Sequence, residues 1–250
     1  MVMPTAKSDF FNMNVKEMHA QAEHALHQLV SAYQTAAHSD QIGPDSLGQS
    51  LEHFFAILDS IEHQMPSHDE VDQGEMQTLA DHGLGLMNEL NDWAVNLQCD
   101  EAQRIFTGLC IPVALWCARQ QMALTQLEPV VNALSRLANS TQDTQLLGEI
   151  SDAVDVIIDG VAPQIKQDLD KSNPGRPWRV LNLNHGIVAT RSHDPKRMEA
   201  VFEQLLYRLP EDAGEFFREG MQQMDRIGYP EHVRSVMEKY YQLTNKPTLH

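Results

Sequence analysis

The chain has few cysteines, few aromatic side chains and no long apolar run, and these shortages narrow the class of protein. Its 3 cysteines form no Cys-x-x-Cys pair, which is typical of a reducing compartment. The most apolar run, residues 108–118, is too short to span a bilayer. The first residues contain no apolar signal-peptide segment. We therefore expect a cytoplasmic protein.

Basic residues are scarce in the first two thirds of the chain. Residues 1–170 contain 6 Lys and Arg against 25 Asp and Glu, whereas residues 171–250 contain 12 against 10. An acidic surface repels phosphate backbones and anionic lipids, so neither nucleic acid nor a membrane is expected as a partner. The charge shifts near a Pro- and Gly-rich stretch, residues 168–177. We predict an acidic α-helical domain over residues 1–170 and a second domain over residues 171–250.

Helical periodicity dominates the first domain, and none of its segments alternates as a strand does. Apolar residues recur at steps of three and four over residues 14–38 and in stripes over residues 45–66, 67–98 and 100–118. Gly83 and Gly85 weaken the third of these helices, so a break there is an open alternative. Two further helices are predicted over about residues 125–137 and 141–159.

Residues 177–191 admit two interpretations. Taken alone, the segments RVLNL and IVATR alternate like two strands joined by an NHG turn, which predicts a β-hairpin. The following Asp194-Pro195 pair is typical of a helix start, and the apolar residues after it have helical spacing. Because helices follow to the end of the chain, we predict that residues 177–191 are the first helix of a helical hairpin.

The C-terminal helices repeat with a nearly constant period. Gly186 is followed 34 residues later by Gly220, and Pro195 is followed 35 residues later by Pro230. At the second offset, five apolar positions after Pro195 match five apolar positions after Pro230. With Phe202 in a second helix and a Gly-Tyr-Pro-Glu turn, this segment resembles tetratricopeptide repeats. The predicted fold is all-α, a helical bundle followed by tetratricopeptide-like helical hairpins.

The resemblance implies a non-enzymatic protein–protein interaction module, an adaptor or assembly factor. Such repeats bind a peptide or helix of another protein in the groove formed by their first helices, and self-association through the same surface is a further expectation. No cofactor is implied. The residues placed on the partner-binding surface are Leu183, Ile187, Thr190, Arg191, Phe217, Met221 and Met224. The carboxylate clamp of some family members is missing, since Leu183 and Ile187 occupy the matching places.

Histidine and carboxylate side chains leave one alternative, a helical-bundle enzyme with or without a metal. Helical spacing brings His24 and His27 to one side of a helix, and Glu62 precedes His63 near the end of another. Most of these residues lie off the apolar stripes, and no Glu-x-x-His pair is present. We therefore assign no metal ligand, and we expect Glu62 to reach water from the helix end.

Acid–base chemistry is the other alternative considered for residues 177–195. His185 and the His193-Asp194 pair are suitable proton carriers, and Arg179 and Arg191 are suitable for holding an anion. Asp194, however, is needed as a helix cap, and the chain has no nucleophile elbow or phosphate-binding glycine loop. We therefore assign no catalytic residue.

Overall fold

The computed structural model describes residues 10–36, 43–64, 73–169, 171 and 173–245. These residues form eleven helices and no strand, apart from one isolated backbone pairing between Leu124 and Val161. The all-α prediction is therefore confirmed. The end of the helix predicted over residues 45–66 and the start of the one predicted over residues 67–98 lie outside the described residues.

The helices are numbered in chain order. Their bounds are α1 Val15–Thr35, α2 Asp45–Gln64, α3 Gln73–Asn96, α4 Asp100–Arg119, α5 Glu128–Asn139, α6 Thr144–Gly160, α7 Pro163–Lys166, α8 Pro177–Arg191, α9 Pro195–Arg208, α10 Pro210–Ile227 and α11 Glu231–Thr244. None of these helices has the length and apolar character needed to cross a lipid bilayer.

Contacts divide the chain into two compact units. The first comprises residues 1–137 and 155–163, and the second comprises residues 138–154 and 164–250. The first two thirds of α6, residues 144–154, thus belong to the second unit. The sequence predicts two domains, residues 1–170 and 171–250. That these two segments fold independently stays a prediction.

In the first unit, α1 to α4 pack in sequence, and α4 also packs against α1. A reciprocal capping box starts α1, because the Asn14 side chain accepts from the Glu17 backbone N–H and the Glu17 carboxylate accepts from the Asn14 N–H. Of the apolar stripe predicted for this helix, Val15, Met18, Ala22 and Leu29 are buried, and Leu26 and Tyr33 are half-buried. Helix α4 is buried along most of its length, as its nearly continuous apolar composition predicts.

Helix α3 is continuous through both of its central glycines, so the alternative of a broken helix is wrong. The reason for Gly83 is steric. A Cβ atom added there would lie 2.2 Å from two carbons of the Phe54 ring, whereas nothing lies within 4 Å of the corresponding position at Gly85. Gly83 therefore lets the Phe54 ring pack directly on the backbone of α3.

In the second unit, residues 177–191 form helix α8, so the helical interpretation is confirmed and the strand hairpin is excluded. Asp194 caps α9 by accepting from the backbone N–H groups of Lys196 and Arg197, as the Asp-Pro pair predicts. Helix α8 packs on α9, α10 packs on α11, and α9 contacts both helices of the following pair. Helices α8 to α11 are thus two successive helical hairpins.

A cluster of aromatic rings joins these two hairpins. The Phe202 ring of α9 meets the rings of Phe216, Phe217 and Tyr240 edge to face, at centroid distances of 5.8, 5.0 and 5.3 Å. Phe202 and Phe217 are fully buried. Edge-to-face pairs add to the free energy gained by burial, so this cluster fixes the position of α10 against the first hairpin.

The two central glycines of α3 provide a matched test of this packing. We expect Gly83→Ala to lower the free energy of unfolding by about 1–3 kcal/mol, because the added methyl group displaces the Phe54 ring. Gly85→Ala should raise it by roughly 0.5–1 kcal/mol, because alanine is the better helix former and this site is open. Urea denaturation of both variants measures the difference, and equal effects would contradict the packing described here.

Candidate functional site

A groove of ≈ 560 Å³ lies between the first helices of the two hairpins. Its wall on one side is α8, and its wall on the other is α10 with the turn that follows. Both apolar and polar side chains line it. The lining residues are Ile187, Thr190, Phe216, Glu219, Gly220, Gln222, Gln223, Met224, Arg226, Ile227, Tyr229 and Met237.

Two glycines allow the helices around the groove to approach closely. A Cβ atom at Gly186 of α8 would lie 2.5 Å from the Phe216 ring of α10, and one at Gly220 would lie 2.6 Å from the sulfur of Met237. Because real Cβ contacts are not this short, a side chain at either position would force the Phe216 ring or the Met237 side chain to shift. The Phe216 ring thus forms the floor of the groove directly against α8.

Isoleucines stand exposed on both walls. Ile187 on α8 is 46% exposed and Ile227 at the end of α10 is 67% exposed, although most other large apolar side chains in the described residues are buried. Ile227 directly precedes Gly228, whose left-handed backbone (φ +76°) ends the helix. The groove therefore has an apolar edge on each side.

The structure brings three of the seven residues predicted for partner binding to this groove. Ile187, Thr190 and Met224 line it. Thr190 and Met224 are themselves buried, so they contribute to the wall more than to the open surface. Leu183 and Met221 are half-buried and lie outside the lining.

The other two predicted residues make internal contacts. Phe217 is fully buried in the aromatic cluster. The Arg191 guanidinium donates to the carbonyl oxygens of Ala138 and Thr141, at 3.0 and 2.6 Å, and so holds the segment before α6. A direct role of any of the seven residues in binding stays a prediction.

Ile227, Tyr229, Glu219 and Arg226 line the groove but were not identified from the sequence. A signal for Ile227 was present, because it continues the stripe of helical spacing that passes through Met224. The charged residues gave no such signal, since helix periodicity alone does not distinguish a groove wall from an open polar face.

His185 lies in the core of the second unit and not at an accessible site. It is 1% exposed, and its Nε2 lies 2.9 Å from the hydroxyl oxygen of Ser151, which is fully buried. Burial, together with the nearby Arg208 guanidinium, lowers the pKa of His185 from 6.5 to about 3. The imidazole is therefore neutral at physiological pH, and its role is structural.

The arginines considered for anion binding also have internal partners. Arg179 Nε donates to Asp212 at 2.6 Å, and the Arg191 guanidinium is occupied by the two backbone carbonyls. With Asp194 serving as the cap of α9, the residues considered for acid–base chemistry do not converge on one accessible point.

Within the described parts of the chain, one group of three side chains has the spacing needed to hold a metal ion. Asp59, Glu62 and His63 of α2 each offer a ligand atom, and these atoms lie within 4.8 Å of one another. Glu62 is half-buried and accepts a hydrogen bond of 3.2 Å from the Trp116 indole N–H, so its carboxylate is oriented by the protein. We expected the Glu62 side chain to reach water from the helix end. The structure adds a specific protein partner for its carboxylate, the Trp116 indole.

The histidines of α1 are engaged separately. His19 Nε2 lies 2.9 Å from a Glu52 carboxylate oxygen, and its ring stacks on Phe55 at 5.0 Å. His24 Nε2 lies 3.1 Å from the Gln28 side chain. These contacts link α1 to its neighbours or to its own next turn, and they draw the histidines apart.

Comparison with known proteins leaves the geometry as the main guide to function. No protein-family model matches the chain, and neither the curated proteins nor the solved structures contain a significant match.

The buried His185 predicts a specific pH dependence of stability. Its pKa is lower in the folded state than in the unfolded state, so its contribution is fully present above pH 6.5 and is lost as the pH falls toward 3. Over that window the wild type should lose up to about 1.4 kcal/mol of unfolding free energy per pH unit through this residue.

The matched variant is His185→Asn, which keeps a polar side chain near Ser151 but removes the titrating group. Urea denaturation between neutral and mildly acidic pH should give this variant a shallower pH slope than the wild type. Equal slopes would show that His185 does not titrate as its burial requires.

Proposed function

We propose that the chain is a protein-interaction module, an adaptor or assembly factor, whose groove between α8 and α10 binds an amphipathic segment of protein. The observation that carries this proposal is the pair of exposed isoleucines, Ile187 and Ile227, one on each wall of the groove. Single exposed apolar residues are common on protein surfaces. Two that face one groove mark a site where an apolar side chain is bound.

The energetics favour an apolar anchor in this groove. Removing an isoleucine side chain from water stabilises a complex by about 1.5–3 kcal/mol when its burial is complete. Two partly exposed isoleucines therefore supply a useful fraction of the free energy of a moderate-affinity complex. The exposed polar side chains that line the groove, Gln222 and Gln223, supply donors and acceptors for the flanking polar face of the bound segment.

Methionine side chains make the groove adaptable. Met224 and Met237 line it, and Met237 packs against the backbone at Gly220. Both side chains are almost fully buried and so lie behind the exposed lining. Because methionine is unbranched and polarisable, this layer adjusts to different apolar side chains in the groove. This property suits an adaptor that binds a segment by shape and hydrophobicity.

Tetratricopeptide-like architecture is part of the same proposal. It is supported by the order of contacts in the two hairpins and by the burial at matched positions. Four apolar positions that follow Pro195 and the four that lie 35 residues later are all buried: Met198, Val201, Phe202 and Leu205, and Val233, Val236, Met237 and Tyr240. In this family the first helices of successive hairpins form the binding groove, which corresponds here to α8 and α10.

The proposal predicts that the groove selects peptides and that the isoleucines are needed for the interaction. A displayed library of random peptides of about 15 residues, long enough to form a helix, is selected on the purified full chain. Enriched peptides should carry apolar residues at helical spacing. Ile187→Asp and Ile227→Asp should each weaken their binding at least about tenfold in calorimetry, because each places a charge against an apolar anchor.

Leu243→Asp is the matched control, since Leu243 is 51% exposed on α11 but does not line the groove. Its variant should bind the peptides as the wild type does. Thermal unfolding checks that all three variants keep their fold. If no peptide is enriched, or if all three substitutions act equally, the groove is not the binding site.

The cluster of Asp59, Glu62 and His63 favours a second candidate function, a metal-dependent enzyme of the helical bundle. Two carboxylates and an imidazole suit divalent zinc or manganese. Under this alternative, calorimetric titration of the full chain with zinc or manganese chloride gives one site per chain, and Glu62→Gln lowers its affinity at least about tenfold. Equal weak binding by wild type and variant would remove the alternative.

A further inference from the structure

We propose that the segment bound in the groove is the same surface of a second copy of this chain, with the two α10 helices antiparallel about a two-fold axis. This inference rests on the proposed function, because it names the occupant of the same groove. A two-fold interface brings one surface against itself, so the surface must be complementary to its own reversed image. Helix α10 meets that requirement.

The exposed face of α10 that lines the groove has an acid at one end, a base at the other end and two polar residues between them. Two such faces are therefore complementary when they lie antiparallel. Along it lie Glu219, Gln222, Gln223 and Arg226, all four exposed. With the axis between Gln222 and Gln223, Glu219 of one copy lies opposite Arg226 of the other, and each glutamine lies opposite a glutamine. At 1.5 Å per residue the acid and the base are about 10 Å apart along the helix, a spacing that is identical in both copies.

The two charges of this face are available for such a contact. Among the residues that the structure describes, neither Glu219 nor Arg226 has an ion-pair partner. The neighbouring charges are already paired, Arg218 with Glu215 at 2.9 Å and Asp225 with Arg234 at 2.6 Å. Reciprocal Glu219–Arg226 bridges would complete the pattern twice in each dimer.

Aromatic side chains lie at both ends of this face. Phe216 lies three positions before Glu219 on α10, and Tyr229 lies two residues after the end of that helix at Ile227. Both line the groove and both are half-buried. Ile187 and Ile227 then lie beside the helix pair, where the association would cover them.

Net charge favours this part of the chain for self-association. Two copies of residues 1–170, each with 6 basic against 25 acidic residues, repel one another. Residues 171–250, with 12 basic against 10 acidic residues, do not carry that penalty. Charge therefore opposes a contact through residues 171–250 less than one through residues 1–170.

Sedimentation velocity on the full chain tests the pairing. The wild type should be dimeric at about 100 µM. Glu219→Arg and Arg226→Glu should each raise the dimer dissociation constant at least about tenfold, because each converts two attractive pairs into two repulsive ones. The double variant Glu219→Arg with Arg226→Glu should restore the dimer, since it exchanges the partners of both bridges.

The matched control is Glu215→Arg, which makes the same charge change on the same helix but outside the groove lining. It should leave the dimer intact, and thermal unfolding checks that every variant is folded. The inference is overturned if the single substitutions leave the dimer dissociation constant unchanged, or if the double variant stays monomeric. A monomeric wild type that still binds selected peptides overturns the second copy as occupant only, whereas a monomer that binds no peptide overturns the proposed function as well.

Discussion

The contact between the Phe216 ring and the bare backbone at Gly186 is the constraint on which the candidate site depends. A side chain at position 186 would force the Phe216 ring, which lines the groove, to move from its present position. The ring is held from behind by Phe202 and Phe217, so the spacing is set by a buried cluster and not by surface side chains. Close packing of this kind has few alternative arrangements, which makes the groove a preformed feature of the fold.

This constraint also explains why apolar side chains stay exposed beside the groove. The helices meet at Gly186 and Phe216, and the rigid cluster behind the ring prevents the walls from closing further. Ile187 and Ile227 therefore remain partly in water. Burial of these side chains requires a segment from outside the groove, which is the physical basis of the proposed interaction. The unpaired charges on the same face, Glu219 and Arg226 among the described residues, add a preference for one particular orientation of that segment.

The local features of the fold were predictable because their signals are local. The start of α9 follows from the Asp194-Pro195 pair, and the buried stripe of α1 follows from its spacing of three and four residues. The tetratricopeptide-like spacing also predicted that residues of α8 face a groove, and Ile187 of α8 lines the groove. Helical periodicity identifies which residues share a face, but it does not tell whether the face is turned outward. Phe217 shows this limit, because it was predicted to face a partner yet lies in the core.

Long-range contacts account for what the sequence did not reveal. The role of Gly83 depends on Phe54, the neutral state of His185 depends on its burial near Arg208, and the orientation of Glu62 depends on Trp116. Each pair is far apart in the chain and leaves no periodic trace.

The most direct measurement of the central claim, that a second copy of the chain covers the exposed isoleucines of the groove, is an NMR dilution series on the full chain with labelled isoleucine methyl groups. The account predicts that the Ile187 and Ile227 signals shift together with concentration, while that of buried Ile150 stays fixed. Unchanged Ile187 and Ile227 signals at every concentration, or shifts confined to methyl groups outside the groove, would contradict it.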